Sequence, residues 1–134
     1  MESSSAVLIL LMDDDVRSTR MLTRMLREDG FNVELAVDGA AAIDRLARSP
    51  LPDVLITDLR TPRADGMTVT RYARSRRADL PVLLITNYPD LVPRSDALDP
   101  APTVLSKPLD YARLTEVLWR IQRRLIDPAG VVLA

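Results

Sequence analysis

Apolar and polar positions fall in blocks along this chain. Val7-Leu8-Ile9-Leu10-Leu11-Met12 is a continuous apolar run that stops on Asp13-Asp14-Asp15, and Val54-Leu55-Ile56-Thr57 stops on Asp58. Unbroken runs of this length fit strands buried on both faces of a parallel sheet. After the first run, Val16, Thr19, Leu22, Met25 and Leu26 recur at helical spacing up to Gly30, a helix stop. Phe31, Val33 and Leu35 alternate as a short second strand. From Asp38, a predicted N-cap, Ala41, Ala42, Ile43 and Leu46 make a helix that ends before Pro50, and Pro52 leads into a third strand over 53–57.

A loop containing Thr61-Pro62 and Asp65-Gly66 precedes a helix predicted from about Met67 to Arg76. Leu80-Pro81 opens a fourth strand, Val82 to Thr86. Between Tyr88 and Pro102, the prolines at 89, 93, 100 and 102 are too frequent for a long helix, and at most a short one fits between Pro93 and Pro100. Thr103 to Leu105 reads as a short last strand. Asp110 then caps an amphipathic helix with Leu114, Val117, Leu118, Ile121 and Leu125 on one face. Trp119 lies off that stripe, near the surface, as a half-buried edge of the core or a partner anchor. Strands alternating with helices predict an α/β fold, a doubly wound five-stranded parallel sheet with an irregular fourth helix region.

Composition narrows the chemistry. The 134 residues, 47% of them hydrophobic, are enough for one ordinary domain with its own core, expected over about 6–126, with a frayed tail at 127–134 and no second domain. Zero cysteines exclude disulfides and thiolate metal sites, and zero histidines exclude imidazole catalysis. The first apolar run is too short to span a membrane and follows no basic segment, so an intracellular protein is expected. Arginines cluster at 71, 74, 76 and 77 and again at 120, 123 and 124, but net charge is −1 and no aromatics interleave. Solvated helix faces are the expected reading, with no direct nucleic-acid binding.

The strand ends carry the candidate chemistry. Strand C-termini of an open parallel sheet lie along one edge, where ligands bind. Carboxylates gathered there repel one another unless a divalent cation or an ammonium offsets them. The chain's single lysine is Lys107, in Ser106-Lys107-Pro108. A carboxylate such as Asp58 can attack phosphorus to form an acyl phosphate. A lone Asp at a strand end is more often a cap or turn residue.

Taken in order, the acidic pair after the first strand, Asp58 in Asp-Leu-Arg-Thr-Pro-Arg-Ala-Asp-Gly, Thr86 ending the fourth strand and Lys107-Pro108 after the fifth resemble the receiver domain of bacterial two-component response regulators. The resemblance runs from about Val7 to Leu125 and implies a flavodoxin-like receiver fold. It implies Asp58 as phosphoacceptor and Mg2+ as cofactor. Asp14 and Asp58 would ligate the ion directly, Asp13 mainly through water, and the Arg60 carbonyl would supply a further ligand. Asp15 is left over, and an N-cap of the first helix is its preferred reading. Thr86 and Lys107 would bind phosphoryl oxygens, and the peptide before Pro108 would be cis, aiming Lys107 inward.

Departures from the family pattern are equally local. Val104 stands where an aromatic switch residue is expected, and Asn87 replaces a small residue beside Asp58. Arg60 and Tyr88 occupy the two variable positions that influence phosphoryl lifetime. The proline-rich stretch replaces the usual fourth helix. The resemblance implies a histidine kinase or histidine phosphotransfer protein as donor, an output partner that the sequence leaves unnamed, a cytoplasmic setting, and a dimer face on the helix of residues 110–125. It implies a signalling domain rather than an enzyme. The alternative is a pseudo-receiver that docks a partner without phosphorylation. An aspartate-nucleophile phosphohydrolase is disfavoured, because Arg60 stands where its acid catalyst, two residues after the nucleophile, would be.

Overall fold

The computed structural model describes residues 6–13, 15–59, 66–92 and 98–125. Five parallel strands form one sheet in the order β2-β1-β3-β4-β5, with β1 Leu8–Met12, β2 Asn32–Ala36, β3 Val54–Asp58, β4 Val82–Thr86 and β5 Thr103–Ser106. The helices are α1 Val16–Glu28, α2 Gly39–Leu46, α3 Gly66–Arg76 and α4 Tyr111–Arg124. The predicted strands and helices are present, with ends displaced by one or two residues. The chain leaves β1 toward β2 on one side and returns to β3 on the other, which opens a crevice at the C-terminal ends of β1 and β3.

Alternate residues of the apolar runs feed two separate cores. Ile9, Leu11, Val54, Ile56, Leu83 and Ile85 pack with Leu26 of α1 and with Leu114, Leu118 and Ile121 of α4. Leu10, Met12, Leu55 and Leu84 pack on the other face with Ala42 and Leu46 of α2 and with Met67, Val69 and Ala73 of α3. Both neighbours of each side chain are therefore apolar, which is why these runs lack a polar alternation.

Caps set the helix limits. The Asp15 side chain accepts from the backbone N–H groups of Arg17 and Ser18, and the Asp38 side chain accepts from Ala41. Asp110 does the same for Arg113 at the start of α4. Gly30, at φ 97°, ends α1 in a Schellman arrangement, with Gly30 N–H donating to Arg27 O and Phe31 N–H to Leu26 O, both at 3.0 Å.

Several expectations need correction. The alternation in β2 fails at Leu35, which is 48% exposed, because β2 is an edge strand and Leu35 lies over the arginine-lined flank of α1. Val16, counted in the apolar stripe of α1, is 56% exposed. Arg74 and Arg77 are not solvated but half-buried, and Arg74 Nε donates to the Leu80 carbonyl at 2.7 Å. Arg76 likewise closes α2 through the Leu46 carbonyl at 3.0 Å. Trp119 lies near the surface as expected, 37% exposed, and rests its ring on Phe31 at 4.7 Å.

The connection from β4 to β5 is the irregular region. Its described residues hold a 3-10 turn, Pro89–Leu91, and return through Leu98 to Pro102. The short helix allowed between Pro93 and Pro100 falls largely outside the described residues, as does the tail at 127–134.

Candidate functional site

The parallel register brings the predicted residues to one edge. Met12 pairs with Thr57, so the residues that follow each of them, Asp13 and Asp58, leave adjacent strands side by side. Asp58 is itself in register with Ile85, and Thr86 with Ser106, which puts Lys107 just beyond the end of β5. Lys107 N–H donates to the Thr86 carbonyl at 2.8 Å, fixing the start of the turn, and the Lys107–Pro108 peptide is cis.

The central contact is ionic. Lys107 Nζ donates to Asp58 Oδ2 at 2.5 Å, with the two side chains 29% and 13% exposed. A charge-assisted bond in such a half-sheltered place is stronger than an exposed pair, because water screens it less. Backbone contacts fix the other side of Asp58. Its carbonyl accepts from the Thr57 hydroxyl at 2.8 Å, and a Cβ at Gly66 would collide with that same carbonyl oxygen. Only glycine lets α3 start this close to the acceptor strand.

Around this pair lies a cavity of about 560 Å3 whose polar end is lined by Asp13, Asp15, Asp58, Asn87, Lys107 and Pro108. Its other end runs between α1 and α4 along Met21, Leu22, Met25, Leu109 and Tyr111. Asp13 Oδ1 accepts from Asp15 N–H at 2.9 Å. The backbone and hydroxyl hydrogen bonds from Ser18 hold the Asp15 carboxyl below its usual range, assisted by the positive charge of Lys107. Tyr111 donates to Asp29 Oδ2 at 2.6 Å, and burial, then that carboxylate, push its phenol well above the ordinary value.

Thr86 is buried and its Oγ accepts from Tyr88 N–H at 3.0 Å. That contact uses a lone pair and leaves the hydroxyl proton to be donated elsewhere. Asn87 and Tyr88 are both exposed, and Asn87 reaches the cavity rim. Val104 is half-buried in β5, opposite Leu84. Asp14 and Arg60, two of the residues expected around a metal, lie outside the described residues, and among the described residues no group of three or more acidic side chains is close enough to hold one. Asp13 and Asp58, two carboxylates in one cavity, are the hard oxygen donors that Mg2+ prefers.

Sequence reasoning found Asp13, Asp58, Thr86 and Lys107 but not the role of Gly66, nor the apolar arm of the cavity. The Asp65-Gly66 pair read only as a turn signal, because a close approach by the Asp58 carbonyl leaves no mark on local sequence.

Comparison with known proteins agrees with this geometry. The family described as the response regulator receiver domain matches residues 9–119. Response regulator MprA of Mycobacterium bovis (strain BCG / Pasteur 1173P2) is 40% identical over 120 residues, covering 89% of this chain and 52% of the relative. The chain thus spans about half the length of the curated relatives it matches. Among solved structures, a response regulator receiver protein from Sinorhizobium medicae WSM419 superposes with a TM-score of 0.75 at 27% identity, covering 88% of this chain and 95% of the other. Response regulator protein TrrA from Thermotoga maritima, in complex with Mg2+ and BeF, gives a TM-score of 0.74 at 26% identity, covering 86% and 98%. With the sheet order, the crevice and the profile match in agreement, this chain belongs to the response regulator receiver domain family of two-component systems.

Proposed function

We propose that this receiver accepts a phosphoryl group on Asp58 from a phosphohistidine carried by a histidine kinase or a histidine phosphotransfer protein, and signals through a phosphorylation-dependent protein contact. The observation that carries the reading is the Lys107–Asp58 pair at 2.5 Å, in a cavity that also holds Asp13. In the transfer, an Asp58 carboxylate oxygen bonds to phosphorus as the phosphorus–nitrogen bond of the donor breaks. The departing imidazole keeps the bonding pair and takes up a proton. The chain has no histidine, so the donor is another protein or a small molecule.

Lys107 then shifts its ammonium from the carboxylate to a phosphoryl oxygen, and Thr86 donates its hydroxyl proton to another. Asp13, Asp14, Asp58 and the Arg60 carbonyl would hold Mg2+, whose charge neutralises the phosphoryl oxygens. Asn87, at the rim, limits the size of donor that reaches Asp58, and Tyr88 and Arg60 govern water access to the acyl phosphate. Pro108 keeps Lys107 aimed inward, and Val104 takes the place of the family's aromatic switch residue. Among the described residues no helix is long and apolar enough to cross a membrane, in keeping with a cytoplasmic setting for this chemistry.

Intact-mass spectrometry after incubation with Mg2+ and a small phosphoryl donor tests the proposal. A single phosphoryl adduct that needs Mg2+ and is absent in Asp58→Asn is expected. An adduct that persists in Asp58→Asn would sink the assignment, and no adduct from either a small donor or a phosphorylated kinase would leave a docking module that works without phosphorylation.

A further inference from the structure

At the other end of the strands lies a second charged recess, of about 180 Å3. It opens at the first residues of β4 and β5, Val82 and Thr103, about 13 Å along the strands from Thr86 and Lys107. Among the described residues four arginines line it, Arg74 from the end of α3 and Arg113, Arg120 and Arg124 from α4, against a single carboxylate, Asp79. The spacing of the last three, with Val117 between, puts them on one face of the helix.

Among the described residues little neutralises this group. Asp79 also faces Arg77 at 3.3 Å, and Arg120 meets Glu116 at 3.2 Å in a pair with both side chains 56% exposed, which is weak. The guanidinium groups of Arg113 and Arg124 have no carboxylate partner among the described residues. Arg74 is pinned at Nε on the Leu80 carbonyl, while its Nη1 is buried with no hydrogen-bond acceptor, and burial lowers its pKa in spite of Asp79 and Asp99. A buried, unsatisfied donor in a native fold calls for an ion or a water. Arg113, Arg120 and Arg124 are exposed at the mouth of the recess, and guanidinium forks match phosphate oxygens two at a time.

We propose that this recess is a binding site for a small, multiply charged phosphate, held by Arg74, Arg113 and Arg124, with Arg120 turning from Glu116 to join them. The recess is concave, no aromatic side chain among the described residues lines it for base stacking, and the chain's net charge is −1, all of which disfavour a nucleic acid as the occupant. The site lies apart from Asp58 and does not depend on the phosphotransfer reading.

Pyrophosphate is the probe, titrated calorimetrically without divalent metal into the wild type, the Arg113→Gln/Arg124→Gln double variant and Lys107→Gln. The two arginine side chains make no hydrogen bond among the described residues, so the double variant should keep its fold. Saturable binding is expected in the wild type, weakened by about tenfold or more in the double variant and unchanged in Lys107→Gln. No saturable binding, equal binding in the double variant, or a loss confined to Lys107→Gln would each overturn the proposal. A short DNA duplex titrated in parallel completes the test, since binding of the duplex without binding of pyrophosphate would assign these arginines to nucleic acid instead.

Discussion

Three of the four strand-to-strand connections run through an α-helix, and the described residues of the fourth, from Thr86 to Thr103, hold a 3-10 turn instead. The helical connections through α1 and α2 open on capping carboxylates, Asp15 and Asp38, and bring an apolar stripe onto the sheet. The fourth opens at Tyr88 with no side-chain cap and covers β4 with single side chains, Leu98 and Val92. The difference teaches that a buried strand demands apolar atoms above it, not a helix as such. Leu98 is as buried as Ile85, at 7% exposure each, although it comes from irregular chain. What the described residues of this connection lack is the regular backbone hydrogen bonding that gives a helix its own cooperativity.

The largest effect should come where a helical connection meets the acceptor. Gly66→Ala drives a methyl group into the Asp58 carbonyl, and backbone has to move. Displacement of a reacting group by about 1 Å costs on the order of a hundredfold in rate, so phosphoryl uptake from a small donor should slow by about that factor. Uptake at the wild-type rate would mean that the close approach of α3 to β3 is not what fixes Asp58.

The two kinds of cover can be compared directly by urea unfolding. Leu46→Ala, in the helical cover supplied by α2 and fully buried, should lose about 2–5 kcal/mol. Leu98→Ala should fall at or below the lower end of that range, because irregular chain relaxes into the gap more easily. Equal losses would erase the distinction between the two connections.

The smallest effect concerns the α1 cap and its dependence on pH. Asp15 has its native pKa held below the ordinary 3.8 by Ser18, so it favours the folded state above that value and loses this contribution as the pH falls through its lower native pKa. The melting temperature of Asp15→Asn should therefore fall less steeply than that of the wild type between about pH 5 and pH 3. Parallel profiles would show that the cap bonds of α1 do not depend on the charge.

Much of this was legible in the chain. The run Val82 to Thr86 is the fourth strand residue for residue, and Asp15, Asp38 and Asp110 are the caps that their positions suggested. Gly30 stops α1 because a positive φ suits glycine best. Leu35 misled because an apolar residue in an alternating pattern reads as inward, and nothing local tells an edge strand from a central one. Arg74 misled in the opposite sense, since a cluster of arginines reads as solvated until a carbonyl at a strand end, here that of Leu80, is found beneath it.

By itself, then, the sequence determined the elements and their order, because apolar period, caps and breakers act over a few residues and are written where they act. It also marked Asp13, Asp58, Thr86 and Lys107 as the residues at strand ends. Only the tertiary structure decided that Lys107 meets Asp58 across 49 positions of sequence, that Gly66 has to yield space to the Asp58 carbonyl, and that four arginines from α3 and α4 converge on one recess. Those contacts depend on strand order and register, which bring together residues whose local sequences carry no trace of one another.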